Sequence, residues 1–139
     1  MAMMCDLRIG CENSNFGETF AKISLIAGDG GSYFLARAIG YAKAMQMTLT
    51  AEMVSGDKAF SFGLLNFFTT SSQLEEKTQS LADKISALPA LAIRWNKLLV
   101  KKAYKDSLSE ILESAATYQG ILQRTPEHFA AVKAFLEKK

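Results

Sequence analysis

Gly28-Asp29-Gly30-Gly31-Ser32-Tyr33-Phe34-Leu35-Ala36-Arg37-Ala38-Ile39-Gly40 joins a turn to a short apolar segment and ends on another glycine. Four consecutive turn formers predict a loop at 28–31. Tyr33 to Ile39 then reads as a helix that Gly40 stops. Backbone amides at such a helix start favour an anion or a developing oxyanion. The other reading is a tight turn that lets the helix dock closely. The loop matches neither a dinucleotide fingerprint nor a phosphate-binding loop.

Working outward, Met3 to Gly10 and Leu64 to Phe68 read as strands, and Tyr41 to Leu49 as a second helix. Ser55 is a candidate N-cap for a helix over Gly56 to Phe62, closed by Gly63. Eight of the nine glycines fall within residues 1–70, and Gly120 is the exception. Residues 71–139 therefore read as continuous helix. Ser72-Gln73-Leu74-Glu75 fits a capping box, and Leu74, Thr78, Leu81, Ile85 and Leu88 follow as an apolar stripe. Pro89 ends that helix. Leu91, Trp95 and Leu98 begin the next stripe. Ser107-Leu108-Ser109-Glu110 is a second capping box, leading into Ile111, Leu112, Ala115 and Leu122. Thr125-Pro126 pairs an N-cap with proline at the first helical position, and Phe129, Val132 and Leu136 give the last helix a core face. This amounts to a small α+β region followed by four helices.

The 139 residues suit one ordinary domain, and 49% hydrophobic with 22% charged residues fits a globular chain. A formal net charge of +2 gives no strong field for nucleic acid or an anionic membrane. No apolar run reaches the ~18 residues of a membrane span. The start lacks a secretory pattern. Cys5 and Cys11 suit small buried hydrophobes in a reducing compartment, so the expected location is cytoplasmic. His128, the one histidine, reads as a surface or capping residue. No Ser-His-Asp order, Cys-His pair or metal-ligand cluster is present in the sequence. Two carboxylates are candidates for general acid–base work. Asp29 lies in the glycine loop, and Glu18 lies between Phe16 and Phe20, where an apolar pocket would suit a general base. A solvated loop carboxylate is the competing reading of each.

Three stretches and the C-terminus together resemble the enoyl-CoA hydratase/isomerase (crotonase) superfamily. Met3-Met4-Cys5-Asp6-Leu7-Arg8-Ile9 with Glu12-Asn13 and Phe16-Gly17 is similar to the family strand after its glycine-rich oxyanion turn. Gly28 to Gly31, Leu35 to Gly40, Ala42 to Met47 and Leu49-Thr50 resemble its next helix pair. Ala59 with Gly63-Leu64-Leu65-Asn66 follows the third pattern, and Arg124 to Lys139 the family ending. The resemblance implies an α+β fold (α/β in some schemes). Residues 1–70 would be the C-terminal part of a crotonase-like ββα spiral, and 71–139 a helical trimerisation region. Both oxyanion amides and the first hydratase glutamate would then lie outside this chain.

The second hydratase glutamate aligns with Phe20. The resemblance therefore implies acyl-CoA thioester chemistry through enolate stabilisation, isomerase-like or otherwise non-hydratase. Related enzymes place an acid in the glycine loop at the position of Gly28, one residue before Asp29. Glu18 is two residues from the family position that Phe20 occupies. Phe135 and Lys138 match residues that reach a neighbouring subunit's coenzyme A, and at i and i+3 they share a helix face. No covalently bound cofactor is implied, coenzyme A being part of the substrate. The implied partners are an acyl-CoA and further copies in a homotrimer or hexamer. The alternative is a non-catalytic trimeric assembly module, or an inactive fragment with residual coenzyme A affinity.

Overall fold

The computed structural model describes residues 2–137. The chain divides into two compact units, Met1–Ser80 and Leu81–Lys139.

In the first unit a 3-10 turn at Ala2–Met4 precedes strand β1 (Ile9–Cys11) and strand β2 (Asn15–Gly17). Helix α1 (Gly31–Ile39) and helix α2 (Tyr41–Thr50) follow, then strand β3 (Met53–Ser55), helix α3 (Gly56–Ser61) and strand β4 (Phe67–Thr69). β1 and β4 pair in parallel, with Ile9, Gly10 and Cys11 facing Phe67, Phe68 and Thr69. A parallel pair needs a long crossover, and the three helices supply it. β2 and β3 pair antiparallel, Phe16 opposite Val54. α3 packs against all four strands.

The core gathers Leu35 and Ile39 from α1, Ala44 and Met47 from α2, Val54, Ala59, Leu64 and Leu65. Leu35 and Ile39 at i, i+4, and Ala44 and Met47 at i, i+3, each fall on one helix face. α1 and α2 meet at Gly40, whose φ of +79° disfavours any side chain.

Several predicted boundaries shift. The Met3–Gly10 strand shortens to Ile9–Cys11, because Cys5 N–H bonds back to Ala2 O in a turn and Arg8 donates to the carbonyls of Leu64 and Cys5. The Leu64–Phe68 strand moves to Phe67–Thr69, because Leu64 N–H closes the end of α3 onto Ala59 O. Cys11 is buried as expected, but Cys5 is exposed. The capping box at Ser72–Glu75 does not form. Ser71–Gln73 is instead a 3-10 turn, and the Ser71 N–H is taken by both carboxylate oxygens of Glu12, 3.0 and 2.8 Å away.

Helix α4 (Leu74–Ser86) carries the chain into the second unit, which holds α5 (Ala90–Lys102), α6 (Leu108–Leu122) and α7 (Pro126–Glu137). Trp95 of α5 and Tyr118 of α6 bring their ring centroids to 4.9 Å. The second capping box forms as predicted. Ser107 Oγ accepts from Glu110 N–H at 3.4 Å, and a Glu110 carboxylate oxygen accepts from Ser107 N–H at 2.7 Å. Ser107→Ala is expected to cost about 1 kcal/mol, read as earlier loss of helical signal in urea. Hydrogen bonds from the Ser107 side chain and backbone hold the Glu110 carboxyl below its ordinary value of 4.5. The box therefore contributes fully above that value and weakens as pH falls through the lower, folded one. The predicted core face of α7 is a correction, since Phe129, Val132 and Leu136 are all exposed and nothing on that helix is buried.

Candidate functional site

A cavity of about 130 Å³ opens in the first unit. β2 delivers Phe16 and Gly17 to its wall, and the residues after β2 add Glu18 and Phe20. The glycine loop and the start of α1 add Asp29, Gly31, Phe34 and Leu35, and Met47 and Leu64 also line it. Three predicted residues, Glu18, Asp29 and Phe20, are thus brought together although Glu18 and Asp29 are eleven positions apart. Gly28 is exposed and stands outside the lining.

The glycine loop turns on Gly30, whose φ of +83° lets it serve as N-cap of α1. The helix start is occupied by the chain itself, because Asp29 Oδ1 accepts the Gly31 N–H at 2.9 Å. That answers the anion reading of this loop with an internal carboxylate. Glu18 approaches the same residue. Its Oε1 is buried and has no hydrogen-bond partner among the described residues. Burial first, and then the neighbouring Asp29 charge, push the Glu18 carboxyl above its ordinary value of 4.5. Both act in the direction expected of a carboxylate desolvated beside a like charge.

A folded-state value above the unfolded one favours the fold most below pH 4.5, and that advantage is lost as pH rises towards the folded value. Glu18→Gln is therefore expected to raise the melting temperature at pH 7 and to leave it unchanged below pH 4.5. Thermal melts of both chains across that range check it.

Sequence reading did not single out Phe34, Leu35, Met47 and Leu64 as lining. Their only signal was helical spacing and the apolar run beside Gly63. In the second unit, Phe135 is 71% exposed on α7, and Lys138 lies outside the described residues. His128 is exposed, as expected of a surface residue. Among the described residues, no cluster of metal-ligating side chains occurs and no helix is long and apolar enough to cross a membrane.

Residues 1–139 match the family described as enoyl-CoA hydratase/isomerase, and the chain belongs to that family. It is 33% identical over all its 139 residues to (E)-benzylidenesuccinyl-CoA hydratase of Thauera aromatica, covering 54% of that protein. It is 29% identical to crotonyl-CoA hydratase of Syntrophomonas wolfei, again over 54% of the relative. Enoyl-CoA hydratase from Bacillus anthracis superposes with a TM-score of 0.93 at 28% identity, over 99% of this chain and 53% of that one. The enoyl-CoA hydratase from Mycobacterium smegmatis gives 0.91 at 28%, with the same coverage. The mixed α+β architecture is thus that of the crotonase fold. The chain spans about half the length of the curated relatives it matches.

Proposed function

We propose that this chain supplies part of an acyl-CoA site that works through a thioester enolate and moves a proton rather than adding water. The observation that carries this reading is the cavity itself, where Phe20 lines the wall and Glu18 and Asp29 are the titratable side chains among the described lining. Hydration needs two carboxylates that hold a water between them. The position resembling the second of these holds a phenyl ring here. An acyl thioester instead needs a group to take or give a proton at carbon, and Asp29 and Glu18 supply it from an apolar wall. In this reading the chain corresponds to the C-terminal half of a family subunit. Its motif order, a short α+β unit followed by helices, supports that assignment. The assembly is a cytoplasmic homotrimer or hexamer, with no covalently bound cofactor. Phe135 and Lys138 meet the coenzyme A of a neighbouring copy.

The test separates the two chemistries. The purified chain should hydrate crotonyl-CoA poorly or not at all, and vigorous hydration would overturn the proposal. In an active assembly containing the chain, Asp29→Asn is expected to lower 3-enoyl- to 2-enoyl-CoA isomerisation by about 10²–10⁴-fold with coenzyme A binding unchanged. Unaltered turnover would remove Asp29 from the chemistry. A second reading, a non-catalytic assembly module, is favoured by the exposed Phe129, Phe135 and Leu136 of α7. A stable trimer by native mass, with no shift on adding acyl-CoA, would select it. A ligand shift lost in Phe135→Ala would select the working site.

A further inference from the structure

The size and the walls of the cavity restrict what can fill it. Its two acids gather at the first turn of α1. Asp29 accepts the Gly31 N–H at 2.9 Å, and a Cβ built on Gly31 would stand 2.6 Å from Glu18 Oε1. Every other described lining residue is apolar or glycine. Three separate stretches each bring a phenyl ring: Phe16 from β2, Phe20 from the turn after it, and Phe34 from α1. The Phe34 ring is held in place. It meets the Tyr33 ring edge-on at 5.3 Å and 86°, and a Cβ on Gly30 would stand 3.1 Å from its Cε2. The floor is closed, since Leu35, Met47 and Leu64 are each 2% exposed. An extended chain has no channel to continue into. The volume of about 130 Å³ is close to that of an apolar protein cavity of roughly 150 Å³ that takes up benzene. A tail of one or two carbons would leave much of the wall without contacts. A single six-membered ring fills the space. An aromatic one also gains from ring-on-ring contact and from the Met47 sulfur.

We propose that this cavity selects an acyl group ending in one aromatic ring, with Phe34 and Phe20 as the specificity-determining side chains. Phe20 thereby has a positive role, as part of the wall that the ring packs against. The use of the pocket rests on the acyl-CoA enolate reading above.

The pocket can be tested without a thioester, by titrating the 139-residue chain with benzyl alcohol and with 1-heptanol, a ring and a linear chain of similar size. The readout is the NMR signal of the carbon-13-labelled Met47 methyl. Benzyl alcohol is expected to bind more tightly and to shift that methyl by its ring current. Phe34→Leu keeps an apolar wall but loses the ring, and should weaken benzyl alcohol by roughly 2–10-fold with little change for 1-heptanol. Should that variant fail to fold, the two alcohols on the unmodified chain decide alone. Equal or tighter binding of 1-heptanol, a Met47 methyl that benzyl alcohol does not move, or a folded Phe34→Leu chain with unchanged affinities overturns the proposal. The thioester arm uses an active assembly containing the chain. There, a 3-enoyl-CoA ending in a phenyl ring should be isomerised with a kcat/KM roughly 2–10-fold above that of a linear 3-enoyl-CoA of equal carbon number. Ring-selective binding with no isomerisation of either thioester would sink the enolate reading alone. Isomerisation that favours the linear thioester would sink the ring pocket alone.

Discussion

Gly56→Ala is expected to unfold the first unit at ordinary temperatures, at a cost of about 3 kcal/mol or more. Gly56 opens α3, is buried, and lies where the helix start meets β1. A Cβ there would overlap the carbonyl oxygen of Cys11 and stand 3.1 Å from the ring of Phe68. The first obstacle is backbone of a paired strand, so no rotamer change relieves it. Moving α3 away would loosen all four strands at once, because α3 is the element they share. Gly120→Ala is the control. Nothing stands within 4 Å of its Cβ position, and it sits inside α6. There alanine should be neutral or stabilising by roughly 0.5–1 kcal/mol. Urea unfolding of the two variants against the parent chain measures both, and equal stabilities would refute the packing argument.

Gly56 also marks what a sequence can and cannot declare. Glycines used as punctuation were legible: Gly40 and Gly63 were read as stops, and both have positive φ in the structure. A glycine used for close approach was not, because the atom it must avoid belongs to Cys11, 45 positions away. The same distinction separates the two capping boxes. Ser107–Glu110 is self-sufficient, needing only residues three apart. Ser72–Glu75 had the same pattern but does not close, and the N–H of the preceding Ser71 meets Glu12, a carboxylate 59 residues away. β2 and β3 were missed because three residues each leave too little alternation to read. The resemblance brought out the family and fold that local patterns could not. For the site, Glu18 between two phenylalanines and Asp29 in its loop were legible as carboxylates with an apolar alternative. That they meet at Gly31 is a tertiary fact and left no local trace.

Leu64→Ala is the second change with a large expected effect, and it ties the fold to the site. Leu64 is 2% exposed and belongs to the core with Leu35, Met47 and Ala59. It also lines the cavity that holds Glu18 and Asp29. Truncating a leucine so placed costs about 2–5 kcal/mol, depending on how far the neighbours collapse. A domain typically has about 5–15 kcal/mol to lose, so the melting temperature should fall sharply. The two ways of absorbing the loss predict different behaviour at the carboxyl pair. If the walls stay put, the cavity deepens, the Glu18 carboxyl keeps its setting, and its raised titration persists in a less stable chain. If Phe34 and Met47 move in, the apolar wall beside Glu18 changes, water reaches the carboxyl, and its titration falls towards the ordinary range. The backbone of Leu64 argues for the first outcome. Its N–H is bonded to Ala59 O at 2.9 Å and its carbonyl accepts from Arg8, so the turn is pinned whatever side chain it bears. Leu64→Ala is therefore expected to lower stability while leaving the Glu18 titration raised. Carboxyl NMR on that variant, beside its thermal melt, tests whether the floor of the cavity and the acid pair above it are separable.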